Sequence, residues 1–270
     1  MLTQQRKQYI LTRLANEGRI VAKTLAQELE LSEDTIRRDL RDLAKEGLLQ
    51  RVHGGALPAS TAVSPFARRQ EIATDGKAAI GKAAAAMIQA GQIVLLDGGT
   101  TAVQLARHLP KNLAVTIVTH SPSIAVELVD HPVAEVILIG GKLYKHSVVT
   151  MGTAALEALS HIRADMFFMG VTGVHVQAGL STGNLEEAYM KKALSQHAAE
   201  TIVLASHEKL GVASAYQIMP ITAVNGLIVE QTTPPKIVEP YKRLGLSVTY
   251  AGATKPSQHL KPHRDQPDAP

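Results

Sequence analysis

From residue 93 to residue 250 the sequence alternates short, continuous apolar runs with helical segments. Seven runs have the length of buried strands: Ile93–Leu96, Val115–Val118, Val136–Ile139, Met166–Met169, Thr201–Ala205, Leu227–Glu230 and Leu246–Tyr250. The predicted helices lie at Lys77–Gln89 and near Ala102–His108, Ile124–Val129, Thr153–Ile162, Leu185–Ala199 and Pro235–Leu244. Uninterrupted apolar strands joined by helices predict a doubly wound, mostly parallel α/β sheet covered on both faces.

Length, composition and net charge exclude some classes of protein but do not decide between a nucleic-acid-binding protein and an enzyme. A chain of 270 residues is long enough for two domains, and its 45% hydrophobic and 19% charged residues are typical of a globular protein. The sequence has no apolar run long enough to span a membrane and no signal-peptide core, so a cytoplasmic location is expected. The absence of cysteine excludes disulfides, thiolate metal sites and a cysteine nucleophile. The net charge of +4 suits nucleic-acid binding but is equally common in enzymes.

The first 57 residues have the pattern of a winged helix-turn-helix domain. Apolar residues recur at helical spacing over Gln4–Glu17 and again over Ala22–Glu30. Ser32 offers an N-cap for a third helix, and Leu48–Val52 then alternates like a hairpin strand. Three helices followed by a strand at this spacing predict a DNA-binding domain over residues 1–57.

The polar face of the third helix carries the chemistry that double-stranded DNA requires. Guanidinium groups bind phosphates or form bidentate hydrogen bonds with the edge of guanine. Hydroxyl groups can hydrogen-bond to either phosphates or bases. The predicted DNA-binding residues on this helix and the wing are Ser32, Thr35, Arg37, Arg38, Arg41, Arg51 and His53. An arginine-rich solvated face is the alternative, because residues 1–57 also carry eight carboxylates. The cap, the helix spacing and the wing together favour the DNA interpretation.

The run Leu31-Ser32-Glu33-Asp34-Thr35-Ile36-Arg37-Arg38-Asp39-Leu40, followed by Val52-His53-Gly54-Gly55-Ala56, resembles the DNA-binding signature of the DeoR family of bacterial regulators. The resemblance implies that the recognition helix spans roughly Glu33–Glu46. A carboxylate close to phosphate would be repelled, so Asp39 is expected to be a structural partner of a neighbouring arginine.

Two segments lack any periodic pattern. Residues 58–74, rich in Pro, Ser and Ala, are predicted to form a linker, in which Phe66 either anchors on the second domain or lies in an exposed loop. Residues 254–270 contain four prolines and are predicted to be a disordered tail. The second domain is therefore expected to span residues 75–253.

Glycine, hydroxyl and basic residues follow the predicted strands. Ligands of parallel sheets bind beyond the carboxyl ends of the strands, and a helix N-terminus favours an anion. The candidate residues in these loops are Asp97, Gly98, Gly99, Thr100, Thr101, Thr119, His120, Gly141, Lys142 and Thr172. Each loop alone could be a tight turn, but several converging on one sheet edge indicate an anion site. The sequence contains no dinucleotide or Walker A motif and no metal-ligand spacing, so neither a cofactor nor a metal is expected.

Residues 68–251 resemble the C-terminal sensor domain of the DeoR family, which is related to the ribose-5-phosphate isomerase and CoA-transferase folds. The resemblance implies a phosphorylated sugar or a similar small anion as effector, with its phosphate at Gly99, Thr100 and Thr101. It also places Glu187, Lys191 and Lys209 at the pocket. His120 stands where the family usually has Asn, and Thr172 and Ser206 stand where it usually has Asp.

These features together predict a transcription repressor of a carbohydrate-metabolism operon that binds double-stranded operator DNA and is released by the effector. A homodimer or homotetramer is expected, because helix-turn-helix proteins read two-fold sites. The alternative is a sugar-phosphate isomerase or transferase, whose acid–base candidates would be Asp97, Glu186, Glu187, Lys191 and Lys209. The missing carboxylates at positions 172 and 206 disfavour that alternative, so no catalytic residue is predicted.

Overall fold

The computed structural model describes residues 2–252, so the predicted tail at 254–270 lies outside the described residues. A small N-terminal lobe precedes a larger lobe. The small lobe consists of α1 (Thr3–Glu17), β1 (Ile20–Val21), α2 (Ala22–Glu28), α3 (Glu33–Lys45), β2 (Leu49–Val52) and β3 (Gly55–Pro58). Its three strands form an antiparallel sheet in the order β1-β3-β2.

Local signals set the bounds of the helices in the small lobe. Gly18 has φ 72° and donates its N–H to the Leu14 carbonyl, which ends α1. The Ser32 hydroxyl accepts a hydrogen bond from the Thr35 N–H at 3.2 Å and caps α3. The stripe of Ile36, Leu40 and Leu43 is buried against α1 and α2, as a winged helix-turn-helix requires. The predicted winged helix-turn-helix fold is confirmed, and the two-residue strand β1 is an addition to it.

The segment predicted as a linker is structured. It forms a 3₁₀ turn at Thr61–Val63 and a short helix, α4 (Phe66–Gln70), too short for its sequence to show a period. Phe66 is partly buried against the core of the larger lobe. Of the two interpretations of Phe66, the structure therefore shows the anchor.

The larger lobe is built on a seven-stranded sheet in which every neighbouring pair is parallel. Its elements are α5 (Thr74–Ala85), β4 (Ile93–Leu96), α6 (Thr100–Arg107), β5 (Thr116–Thr119), α7 (Pro122–Leu128), β6 (Glu135–Leu138), β7 (Lys142–Tyr144), β8 (Val149–Met151), α8 (Thr153–Ser160), β9 (Ala164–Gly170), β10 (Gly173–His175), β11 (Gly179–Thr182), α9 (Leu185–Gln196), β12 (Ala198–Leu204), β13 (Tyr216–Met219), β14 (Gly226–Glu230), α10 (Pro235–Arg243) and β15 (Ser247–Ala251).

The strand order of the large sheet is β15-β14-β12-β9-β4-β5-β6. The chain runs outward from β4 to one edge, returns to β9 beside β4, and then runs outward to the other edge. Apolar clusters lie on both faces of the sheet, and the side chains of Phe167 and Phe168 on β9 point into opposite clusters. All seven predicted strands are present, which confirms the doubly wound α/β fold. The strand order reverses between β4 and β9, where such folds place their ligands.

Two antiparallel additions lie at the carboxyl ends of the strands. One is the β7–β8 hairpin, and the other is a three-stranded sheet of β10, β11 and β13. These strands are only three or four residues long, too short for their sequences to show a strand period. Over residues 2–252, no helix combines the length and the apolar character needed to cross a membrane.

Candidate DNA-binding surface and effector site

Helix α3 presents a basic face to solvent. Arg37, Arg38 and Arg41 are all exposed, on the side opposite the buried Ile36/Leu40/Leu43 stripe. Arg37 bonds Glu33 one turn earlier at 2.7 Å. Arg38 and Arg41 have no ion-pair partner among residues 2–252. Their guanidinium groups are therefore available to an external partner.

A shallow groove separates α3 from the wing formed by β2 and β3. Arg37 and Arg41 line one side, and Arg51 and His53 line the other. At the start of α3 the hydroxyls of Ser32 and Thr35 are hydrogen-bonded to each other at 2.9 Å. A basic helix face beside a basic wing can contact base edges and phosphates of one duplex together.

A cavity lies at the switch point, where β4 and β9 end side by side. Gly98 and Gly99 follow β4, and a Cβ at Gly98 would lie 2.1 Å from Val149 Cγ1 of the β7–β8 hairpin. Gly99 has φ 116° and is the residue before α6, whose first turn carries Thr100 and Thr101. We call this the switch-point cavity; the predicted residues that line it are Gly98, Gly99, Thr100, Thr101, Thr172, Glu187, Lys191 and Lys209.

Asp97 lies directly beneath the cavity and is fully buried. Its carboxylate accepts hydrogen bonds from His120 Nε2 at 2.9 Å, from the Gly170 N–H at 2.8 Å and from Lys191 Nζ. Burial alone would raise the pKa of Asp97, but the Lys191 ammonium and the hydrogen bond from His120 lower that pKa to about 2. Asp97 is therefore an ionised structural anchor for the loop above it, with its acceptor positions occupied by the protein.

Thr119 and His120 belong to this buried layer rather than to the cavity wall. Thr119 Oγ1 donates to the Leu96 carbonyl at 2.8 Å. The second ring nitrogen of His120, Nδ1, faces the Thr150 carbonyl at 2.9 Å. Both ring nitrogens of His120 thus lie against oxygen atoms of the protein. Thr119 and His120 therefore lie in the buried layer beneath the cavity, where His120 is hydrogen-bonded to Asp97.

Helix α9 contributes a second ion-pair network to the cavity wall. Glu187 accepts a hydrogen bond from Thr182 Oγ1 at 2.8 Å and lies 3.5 Å from Lys191 Nζ, one turn further along the helix. Burial would lower the pKa of Lys191, but the charges of Asp97 and Glu187 raise it. The Lys191 ammonium is therefore paired with two carboxylates of the protein, those of Asp97 and Glu187.

Three other basic groups line the cavity: Arg69 from α4, Lys77 from α5 and Lys209. Burial and the neighbouring cations lower the pKa of Lys209 to about 8, although Glu208 opposes that shift. Lys209 Nζ lies 3.4 Å from Thr101 Oγ1, and Lys77 Nζ donates to the Arg69 carbonyl at 2.5 Å. The Nε and Nη2 atoms of Arg69 are buried and have no hydrogen-bond partner within residues 2–252.

Comparison with known families agrees with both halves of this architecture. A model described as "DeoR-like helix-turn-helix domain" matches residues 6–62, and one described as "DeoR C terminal sensor domain" matches residues 72–231. The chain belongs to the DeoR family. It is a DNA-binding regulator of transcription and not an enzyme, so both predictions are confirmed.

Individual relatives match over most of their length. The "HTH-type transcriptional regulator GlpR" of Haloferax volcanii is 32% identical over 92% of this chain and 98% of its own. The "Glycerol-3-phosphate regulon repressor" of Escherichia coli is 28% identical over 87% of this chain and 94% of its own. Among solved structures, ribose 5-phosphate isomerase A from Methanocaldococcus jannaschii is 20% identical, with a TM-score of 0.38, over 50% of this chain and 54% of that one.

The structure separates the predicted effector residues of this DeoR-family protein into groups. Asp97, Thr119 and His120 lie beneath the cavity, as described above. Gly141 and Lys142 do not line it: the chain turns there into the β7–β8 hairpin, and Lys142 is exposed at its first residue. A Gly-Gly pair marks a tight turn whether or not a ligand is near, so the sequence could not distinguish the two cases.

Sequence reasoning missed two of the basic residues, Arg69 and Lys77, along with Glu208. Arg69 lies between the stretches matched by the two family models, in the segment interpreted as a linker. The one available signal is the basic pair Arg68-Arg69 in a segment whose other charged residue is Glu71. Which of the two faces the cavity depends on how α4 packs, and sequence alone does not reveal that packing.

Proposed function

We propose that this DeoR-family protein represses a carbohydrate-metabolism operon and leaves its operator when a phosphorylated sugar or related metabolite binds in the switch-point cavity. The observation that carries the effector class is the unpaired guanidinium of Arg69 at a buried, basic site. Lys191 is paired with Asp97 and Glu187, so three cations remain on the cavity wall, Arg69, Lys77 and Lys209. Glu208 lies among them, and Glu230 lies near Lys77 outside the cavity lining.

An uncompensated buried positive charge is unfavourable unless a ligand neutralises it. A phosphate group satisfies several charged donors at once, and the hydroxyls of Thr100 and Thr101 at the start of α6 add neutral donors. The Escherichia coli relative named as a glycerol-3-phosphate regulon repressor supports the same effector class and the repressor role.

A thermal-shift panel tests the effector class directly. Glucose 6-phosphate, fructose 1-phosphate and glycerol 3-phosphate would be compared with the same compounds lacking phosphate, because a ligand that binds only the folded state must raise the melting temperature. We expect stabilisation by at least one phosphorylated compound in the wild type, and its loss in Arg69→Gln. Arg68→Gln is the matched control, since Arg68 is the exposed neighbour on the same helix. Equal stabilisation by unphosphorylated compounds would contradict the proposal.

We further propose that the protein binds its operator as a homodimer or homotetramer, because paired recognition helices read two half-sites about one helical turn apart. Selection of binding sequences from a random duplex pool would give the operator, and light scattering would give the mass of the complex. We expect an inverted repeat bound by two copies. A single unrepeated site bound by one copy would contradict this.

A further inference from the structure

The connector between the two lobes, residues 58–72, covers one side of the switch-point cavity, which we call its roof. Ala62 and Arg69 from the connector line the cavity, together with Ile72, which follows α4. The rest of the roof is Ser147 from the turn of the β7–β8 hairpin. The two parts are joined, because the Phe66 N–H donates to the His146 carbonyl at 2.8 Å.

With this roof in place, the cavity is small. Its free volume is about 20 Å³, which is room for little more than one water molecule. Pockets for small metabolites are roughly 300–1,000 Å³, so a sugar phosphate needs the cavity to open. The floor and walls are strand ends and α9, which are tied together by the Asp97 and Lys191 network. The roof is the part that can move.

Few polar contacts attach the roof to the larger lobe, and one of them is the hydrogen bond from Lys77 Nζ to the Arg69 carbonyl at 2.5 Å. Ser60 Oγ donates to the Thr172 carbonyl, and the Ala213 N–H donates to the Pro58 carbonyl at 3.5 Å. Pro58 is the last residue of strand β3 of the wing, so any displacement of the roof acts directly on the DNA-binding lobe.

Both parts of the roof adjoin strained backbone. Ala73, between α4 and α5, has φ 49°, and Val148, at the base of the hairpin turn, has φ 54°. The left-handed region is unfavourable for residues with a Cβ, and especially for a β-branched one. Such conformations persist only while surrounding contacts hold them, and they are characteristic of segments that switch.

We propose that effector binding lifts the connector off the cavity and that this movement is what releases the winged helix from DNA. The inference rests on the proposed function, because it takes the anionic effector as given. It adds the element that relays the signal. This element is residues 58–72, which continue from the wing at one end and line the cavity at the other.

A reversible crosslink tests the movement. Val63 of the connector packs on Gly183 of the larger lobe, and a Cβ at position 183 would lie 3.9 Å from Val63 Cβ. That separation suits a disulfide, and the wild-type chain has no cysteine to compete. The double variant Val63→Cys/Gly183→Cys can therefore lock the roof when oxidised and release it when reduced. The single variants are the controls, because neither can form the crosslink within one chain.

Operator affinity would be measured by fluorescence anisotropy at fixed ionic strength, with and without glucose 6-phosphate, fructose 1-phosphate and glycerol 3-phosphate. In the reduced double variant we expect the stabilising compound to weaken DNA binding by about tenfold or more. In the oxidised variant we expect the operator affinity measured with the stabilising compound to stay within about twofold of the affinity measured without the compound. We also expect the compound itself to bind about tenfold more weakly, because the cavity cannot open.

The outcomes separate the two proposals. If a compound stabilises the protein and releases the oxidised variant from DNA as readily as the reduced one, the roof mechanism is overturned and the effector class stands. If no phosphorylated compound stabilises the reduced variant or the wild type, the proposed effector class fails and the roof mechanism fails with it.

Discussion

Arg6 on α1 and Asp39 on α3 form a buried ion pair. The guanidinium donates from Nε and Nη2 to the two carboxylate oxygens, and the Asp39 side chain is only 3% exposed. This bidentate contact fixes the angle between α1 and α3. Asp39 is thus a structural residue on the helix that we expect to read DNA, and its partner lies 33 positions away in the sequence.

We expect Asp39→Ala to lower the free energy of unfolding by about 3 kcal/mol, because it leaves Arg6 partly buried and uncompensated. Urea unfolding followed by circular dichroism measures the change. Asp42→Ala is the control: its carboxylate lies 3.2 Å from Lys7 but is 42% exposed, so its loss should cost less than about 1 kcal/mol. Equal effects of the two substitutions would show that the Arg6–Asp39 pair does not hold the helices together.

The groove between α3 and the wing makes Arg41 the sharpest test of DNA contact. Arg41 is exposed in that groove, and no carboxylate within residues 2–252 pairs with it. We expect Arg41→Ala to weaken binding to the selected operator by about 2 kcal/mol, roughly thirtyfold. Arg163→Ala, an exposed arginine on the larger lobe, should leave the affinity unchanged. Unaltered binding by the Arg41 variant in an anisotropy titration would remove this residue from the interface.

The parts of the fold that sequence could predict are those with a local cause. The strand Ile93–Leu96 is predicted with the bounds that the structure has, because an uninterrupted apolar run followed by Asp97-Gly98 has few other interpretations. Ser32 similarly marked the start of α3 through its capping hydroxyl. The seven-stranded order then placed the loops after β4 and β9 side by side, as the topology of doubly wound sheets implies.

What sequence could not supply was the depth of each side chain and the identity of distant partners. Asp97 and Thr100 are three residues apart, yet one lies under the cavity and the other lines it. Arg69 precedes the first strand of the sheet by more than twenty residues, and only the packing of α4 brings it to the site. Such contacts depend on tertiary structure, for which a single sequence carries no periodic signal.

The Asp97–Lys191 pair predicts a large effect from one substitution. Lys191→Met removes the ammonium from a fully buried carboxylate, so we expect a loss of about 3 kcal/mol in the free energy of unfolding. Lys192→Met is the matched control, because Lys192 is the exposed neighbour on α9. Urea unfolding at pH 7 compares the two variants. A loss no larger in the Lys191 variant than in the control would show that the pair contributes little net stability.

The Asp97–Lys191 pair also predicts how the free energy of unfolding falls at acidic pH. The folded pKa of Asp97, about 2, lies below its ordinary value of 3.8. The stabilisation by this group is therefore fully present above pH 4 and is lost as the pH falls from about 4 to about 2. We expect the free energy of unfolding of Lys191→Met to fall less steeply than that of the wild type over this range. An identical slope in urea titrations at pH 4, 3 and 2.5 would contradict the assignment.

Lys209 predicts how effector affinity depends on alkaline pH. Burial holds the pKa of this ammonium at about 8, below its ordinary value of 10.5, so the cation is lost from the cavity as the pH rises through 8. A bound phosphate monoester has its second pKa near 6 and stays dianionic over this range, so the change in affinity comes from the protein. By calorimetry with the stabilising sugar phosphate, we expect affinity to be constant from pH 7 to 7.5. Above pH 8 it should fall by up to about tenfold per unit. Lys209→Met should bind weakly throughout, with a flatter profile. If the variant kept the wild-type slope, another group, with Lys77 the nearest candidate, would be the one that titrates.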